Sequence, residues 1–331
     1  MTRTRLAVAL LLVGLWTLVA PAVAHAWTPG THIYLGEAVL ANLQLLPPTI
    51  ATLLQAFPYD FLYGTIAPDT SIAKKYVPAG RHSHFWHVGQ ETFDRAPNDA
   101  LRAFGLGYLS HLAADTIAHN YFVPRQLVLT SSTKSMGHTY WETRIETHLG
   151  ERYARKAREI ILLDQRAADS HLERIISPTL FSVRTNRRLF RGMVHVAQTK
   201  GWQRAMRTAR ERSRWLLTDL DVERHLGSAY DAMMEMLTVA EQGGEETRVR
   251  ALDPNGAQAL RAAKRLRNRL LGLGTLGSPS RLLDLAEQSF GVRSMDLGYW
   301  SQSLVDRPWI GLHKDPRERP SGLLLRSSSG E

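Results

Sequence analysis

The chain has 331 residues, 41 Lys and Arg against 31 Asp and Glu for a formal charge of +10, and no cysteine. That length suffices for one large domain or two ordinary ones with an ample core. The lack of Cys excludes a disulfide framework and any thiolate zinc site, so a metal could be held only by His, Asp, Glu and backbone groups.

The charge is unevenly placed. Residues 1–150 carry 10 Lys/Arg and 9 Asp/Glu, and the remainder carries 31 and 22. Histidine is skewed the other way, with 9 of 13 in residues 1–150. The first part holds titratable side chains near charge balance. The second is basic and suits an anionic surface.

In chain order, Arg3 and Arg5 precede an apolar run from Leu6 to Val23, and Ala24-His25-Ala26 has the small-x-small form of a signal-peptidase site. Residues 1–26 therefore read as a signal peptide, which places the chain outside the cell or in a periplasm. An uncleaved signal anchor is the alternative, since the run is nearly long enough to span a bilayer. Cleavage after Ala26 would leave about 305 residues beginning with Trp27 and its free α-amino group. A mature N-terminal Trp followed by scattered His and Asp suggests an enzyme whose first residue ligates metal. No later segment has 18 consecutive apolar residues, so the mature chain is expected to be soluble.

Helical periodicity runs nearly throughout, and few segments alternate as strands should, so the expected fold class is all-α, a multi-helix bundle. A first helix is expected over 31–45 and a short second one over 49–57. Residues 58–97 read as loop-rich with short helical pieces. Asn98 is a good N-cap for a long apolar helix to Phe122, ended by Pro124. A Ser/Thr/Gly loop follows, then helices over 138–163, 165–177, 185–200, 202–218 and 221–241. Residues 27–242 form the expected helical domain. Residues 243–256 read as a polar linker, followed by a basic helix over 257–271, a helix over 280–290 and a poorly structured extension from Pro308. Trp202, Trp215, Trp300 and Trp309 read as core or interface residues.

The candidate ligands fall in five segments. His32 lies one turn into the first helix, and Asp69 lies in the loop Ala67-Pro68-Asp69. His82, His84 and His87 cluster in RHSHFWH. His111, Asp115 and His119 are spaced by four on one helix, which puts them on one stripe at 3.6 residues per turn. His138 and Glu142, also spaced by four, open the next helix, with Glu146 and His148 beyond. Imidazole and carboxylate suit zinc. A carboxylate between two histidines can bridge two metals, and neighbouring metals can clamp both oxygens of a phosphoester displacement. Each element alone is commonplace: a lone His on an apolar helix is more often a satisfied core residue.

Taken together, this order resembles the zinc-dependent phospholipase C family. The resemblance covers residues 27–150 and rests on Trp27, His32, Asp69, His84 in Ser83-His84-Phe85, His111 with Asp115, His119, and His138 with Glu142. It implies an all-α phosphoric diester hydrolase holding three zinc ions. One would take the Trp27 α-amino nitrogen and carbonyl, His32 and Asp115. A second would take Asp69, His84, His111 and the bridging Asp115. A third would take His119, His138 and Glu142. Asp69 is also implied as the catalytic general base, acting on a phospholipid.

Two other functions stay open. Zinc-dependent single-strand nucleases are similar in site architecture, but typically end their ligand series with Asp, where this chain has Glu142. The other is a catalytically degenerate, metal-stabilised lipid-binding protein, with His82 or His87 closing the site. Arg261, Lys264, Arg265, Arg267 and Arg269 punctuate Leu260, Leu266, Leu270 and Leu271 as a basic amphipathic helix. Such a helix suits an anionic membrane surface or, less favoured here, nucleic acid.

Overall fold

A computed structural model describes residues 27–71, 82–130, 135–177, 182–197, 215–240, 247–272, 279–292 and 298–310, with a few isolated positions between 199 and 213. The expected signal peptide at 1–26, Trp202 and most of the expected 202–218 helix, residues 243–246 and the extension from 311 onward lie outside the described residues.

The described residues are all-α, with no strand among them. The helices are α1 (Pro29–Leu40), α2 (Pro48–Ala56), α3 (Pro58–Gly64), α4 (Trp86–Asp94), α5 (Asp99–Ile117), α6 (Val123–Leu129), α7 (Ser135–Glu146), α8 (Glu151–Leu162), α9 (Arg166–Glu173) and α10 (Val183–Ala197). They continue with α11 (Asp219–Val239), α12 (Ala257–Gly272), α13 (Pro279–Phe290) and α14 (Tyr299–Gln302). The expected 31–45 helix stops at Leu40, and 43–45 form a separate 3₁₀ turn. The expected 138–163 helix divides into α7 and α8 around residues 147–150.

α5 is the axis of the bundle, packed on α3, α4 and α11. Asn98 caps it as expected, its side chain accepting the Leu101 N–H at 3.0 Å. Every residue from Ala103 to Ile117 is buried, as a helix apolar on all sides requires. The α3–α5 crossing is set by two glycines. A Cβ on Gly107 would collide with the Phe61 carbonyl oxygen, and one on Gly64 with the Phe104 carbonyl oxygen. Only glycine lets the two backbones approach this closely. The crossing matters because Asp69 follows Gly64 by five residues and His111 follows Gly107 by four.

The long helix does not end before Pro124. Residues 118–122 form a π-turn that continues into α6. Proline has no N–H and its ring collides with the carbonyl four residues back, here that of Asn120. One extra residue in the turn removes that conflict, and such turns recur at functional sites.

The C-terminal elements close over this framework. α12 and α13 pack on α6, and α14 packs on α11. Trp300 and Trp309 are buried, and their Nε1 atoms donate to the two oxygens of Glu223 at 2.8 and 3.0 Å. On α12, Arg261, Lys264, Arg265 and Arg269 are exposed. Arg267 departs from the expected basic face: it is buried and donates to the Val128 carbonyl at 2.8 Å. Among the described residues no helix is long and apolar enough to cross a membrane.

Candidate metal centre

Three groups of buried His, Asp and Glu side chains have ligand atoms within 4.8 Å of one another: His32, His111 and Asp115; Asp69, His84 and His111; and His119, His138 and Glu142. Tetrahedral zinc with bonds near 2.1 Å sets neighbouring ligand atoms roughly 3.4 Å apart. The observed spacings sit around that value.

Asp115 lies between the first two groups and divides its oxygens between them. Oδ1 is 3.3 Å from His32 Nε2. Oδ2 is 3.3 Å from both His84 Nε2 and His111 Nε2. Asp69 Oδ1 completes the second group, 3.2 Å from His84 Nε2 and 3.9 Å from His111 Nε2. The His32 and His111 rings stack with centroids 4.0 Å apart. In the third group His138 Nε2 is 2.8 Å from Glu142 Oε1, and the His119 and His138 rings meet edge to face at 5.1 Å.

Each group is held by bonds on its outer side. His111 Nδ1 donates to the Thr65 carbonyl at 2.8 Å. Ser83 Oγ donates to the Pro68 carbonyl, so it must accept from His84 Nδ1 at 3.0 Å. His119 Nδ1 donates to the Pro254 carbonyl at 2.5 Å. All three rings therefore carry their proton on Nδ1 and turn an Nε2 lone pair inward, the arrangement that metal-binding histidines require. Tyr108 of α5 adds a bond to the Ser83 carbonyl at 2.6 Å, pinning the Ser-His-Phe segment.

The electrostatics favour a cation at this place. Burial lowers His32 to about 4, and His111 adds to the shift. Burial likewise lowers His119 to about 3. Both rings are thus neutral, as ligands must be. Burial would lower His111 too, but Asp115 and Asp69 outweigh it and raise that ring. Burial would raise Asp115, yet His111, His32 and His84 together hold it well below the usual carboxylate range. Both oxygens of Asp115 and both ring nitrogens of His32 are buried without a hydrogen-bonded partner. Burying such groups is costly unless something compensates them, and a bound cation does so.

The sequence-predicted residues divide as follows. His32, Asp69, His84, His111, Asp115, His119, His138 and Glu142 all enter the three groups. Trp27 is buried beside them, its Nε1 donating to the Ala114 carbonyl at 3.1 Å. His119 does not continue the stripe of His111 and Asp115. It lies in the π-turn and faces His138 and Glu142 instead. His82 and His87 join no group: the His82 ring lies tilted against Phe85, and His87 stacks on Phe85 and is exposed. His148 bonds the Arg144 carbonyl, and the Glu146 carboxylate accepts the Gly30 N–H.

Sequence reasoning missed residues 253–256, read as linker. Pro254 supplies the carbonyl under His119, and Asn255 Nδ2 donates to the His84 carbonyl at 2.7 Å. The Asp-Pro-Asn-Gly turn signal was visible, but nothing local tells which helix a turn packs against.

Residues 31–182 match the family model of zinc dependent phospholipase C. That stretch, just under half of the chain, is similar to the zinc-dependent phospholipase C family. All eight metal-capable side chains lie inside the matched range, with Trp27 just ahead of it and residues 253–256 well beyond it. No curated protein and no solved structure matches the chain.

Proposed function

We propose that the chain acts outside the cell, after cleavage at Ala26, as a phosphodiesterase that splits phospholipids in the manner of a phospholipase C. The observation that carries this reading is the divided carboxylate of Asp115, flanked by His32 on one side and by His84 and His111 on the other. In this reading three zinc ions would be held: by the Trp27 amine and carbonyl, His32 and Asp115; by Asp69, His84, His111 and Asp115; and by His119, His138 and Glu142. Such ions would supply Lewis-acid stabilisation of the charge that builds on the phosphoryl oxygens.

The remaining chemistry belongs to the side chains. Asp69, buried beside His84, takes a proton from the attacking water as its oxygen bonds to phosphorus. The bond from phosphorus to the glycerol oxygen breaks, and the proton taken up by Asp69 passes to the departing diacylglycerol oxygen, which restores the carboxylate. The products are diacylglycerol and a phosphorylated head group. The Nδ1 bonds of His84, His111 and His119 keep the inward lone pairs in place. The exposed Arg261, Lys264, Arg265 and Arg269 of α12 support an anionic membrane surface as the place of action.

The test is release of phosphorylated head group from phospholipid vesicles by the mature protein, run beside a single-stranded nucleic acid substrate. Vesicle turnover that chelator abolishes and Asp69→Asn reduces by about 10²–10⁴-fold is expected. Turnover confined to nucleic acid would reassign the substrate. Zinc binding with no phosphoester cleavage at all would rule out the enzyme.

A further inference from the structure

The segment that closes the third group lies outside the family-matched range, and its contacts are more specific than a linker requires. Asp253 shapes it: its Oδ1 accepts the Asn255 N–H at 3.0 Å, and its Oδ2 accepts the Ala257 N–H at 3.1 Å, capping α12. The Asp253 carbonyl also accepts Asn120 Nδ2 at 2.8 Å, tying the segment to the π-turn. Trp86 Nε1 of α4 donates to the Leu252 carbonyl at 2.9 Å, tying it to the helix that follows His84. From this frame Pro254 offers its carbonyl to His119 Nδ1, and Asn255 donates its amide to the His84 carbonyl.

Gly256 fixes how closely the segment sits. Its φ is +55°, and a Cβ there would collide with the carbonyl of His119 and stand 2.6 Å from the His119 Cβ. No other residue fits both the left-handed backbone and the space.

We infer that residues 253–256 are a positioning clamp on two of the metal groups, fixing the tautomer of His119 through Pro254 and the placement of His84 through Asn255. This rests on the reading above, that the two groups hold zinc. The clamp gives residues after 182 a part in a site whose ligands all precede them. α12 starts at the clamp, so the basic helix is anchored at the metal centre rather than hung on a flexible tether.

The experiment counts zinc on the full mature chain by native mass spectrometry and measures affinity by competition with a chelator. Loss of such a supporting bond typically costs 10–100-fold in metal affinity. Gly256→Ala is expected to weaken the ions at His119 and at His84 by that factor, since it lifts Pro254 and Asn255 together. In a His119→Ala background, already lacking the first ion, the collision with the main chain of residue 119 persists, and Gly256→Ala should weaken only the ion at His84. Asn255→Asp, equal in size but unable to donate, should also weaken that ion. Asn268→Ala, on the exposed face of α12, should leave the zinc affinities unchanged. Unchanged affinities in folded Gly256→Ala and Asn255→Asp proteins would overturn the clamp. If Gly256→Ala does not fold, unchanged zinc affinity in Asn255→Asp overturns it alone. A wild-type chain that binds no zinc would overturn both the clamp and the reading beneath it.

Discussion

Nε2 of His84 and Nε2 of His111 face each other across 3.2 Å. The far nitrogen of each ring is engaged, by the Thr65 carbonyl and by Ser83, so in the neutral rings two Nε2 lone pairs converge beside Asp115 and Asp69. Lone pairs at that distance repel unless a proton or a metal cation lies between them. Stripping zinc from the mature protein should therefore cost stability as well as activity. With free zinc at 1,000 times its dissociation constant, one site contributes about 4 kcal/mol. For a chain of this size that is on the order of 10 °C in Tm. A melting curve indifferent to chelator would count against metal in this site.

The glycine crossing that sets Asp69 beside His111 is open to a simple probe. Gly107→Ala would push a methyl group into the Phe61 carbonyl and spread α3 from α5. Overpacking of this kind costs about 1–3 kcal/mol. The same variant should bind the zinc held by Asp69 and His111 more weakly, because their two elements separate. Chemical denaturation and zinc competition measure the two effects independently. A stable variant with normal zinc affinity would show that the crossing does not position the site.

Glu146 gives a pH dependence of definite sign. Burial raises its carboxyl from 4.5 to about 7, against the Gly30 N–H, which lowers it. Below pH 4.5 the folded and unfolded chains are both protonated and the shift contributes nothing. Between pH 4.5 and 7 the folded chain holds the proton more tightly, so stability falls as pH rises through that window. Glu146→Gln keeps an oxygen for Gly30 and removes the ionisation. Its advantage over wild type should be near zero at pH 4.5 and about 1–3 kcal/mol at pH 8. Thermal melts at the two values decide it, and an advantage that shrinks with pH would reverse the assignment.

Trp27 makes zinc loading sensitive to N-terminal processing in the proposed mechanism. Ahead of cleavage its nitrogen is an amide and cannot serve as an amine ligand. A protein with one extra residue before Trp27 should bind two zincs tightly and the third weakly, as counted by native mass spectrometry. Full loading and normal turnover in that protein would remove the N-terminus from the ligand set.

The site was legible from sequence wherever its spacing was helical. His111 with Asp115 and His138 with Glu142 are i, i+4 pairs, and the helix geometry alone puts each pair on one face. His119 has the same spacing from Asp115 but leaves the stripe, because Pro124 five residues later forces the π-turn. That effect runs backwards along the chain, against the direction in which periodicity is read. His84 could not be separated from His82 and His87 by pattern; its neighbour Ser83 orients it, and Ser83 is itself fixed by tertiary bonds to Pro68 and Tyr108. The role of Pro254 was invisible for a plainer reason. A main-chain carbonyl carries no mark of residue type, and its partner His119 is 135 positions away.

The π-turn at 118–122 has one more consequence. A helix with an odd residue in one turn has two phases, one on either side. Upstream, the phase sets His111 and Asp115 in the metal-capable groups; downstream, it aims Arg125 at Asp221 of α11 and Glu287 of α13. Deleting a single residue from the turn would restore a uniform coil and rotate α6 by about 100° relative to α5. The ligands on α5 would keep their places while the ion pairs that seat α13 lost theirs. The turn is thus a joint that lets the metal-facing part of the helix and the C-terminal helices be set independently along one continuous helix.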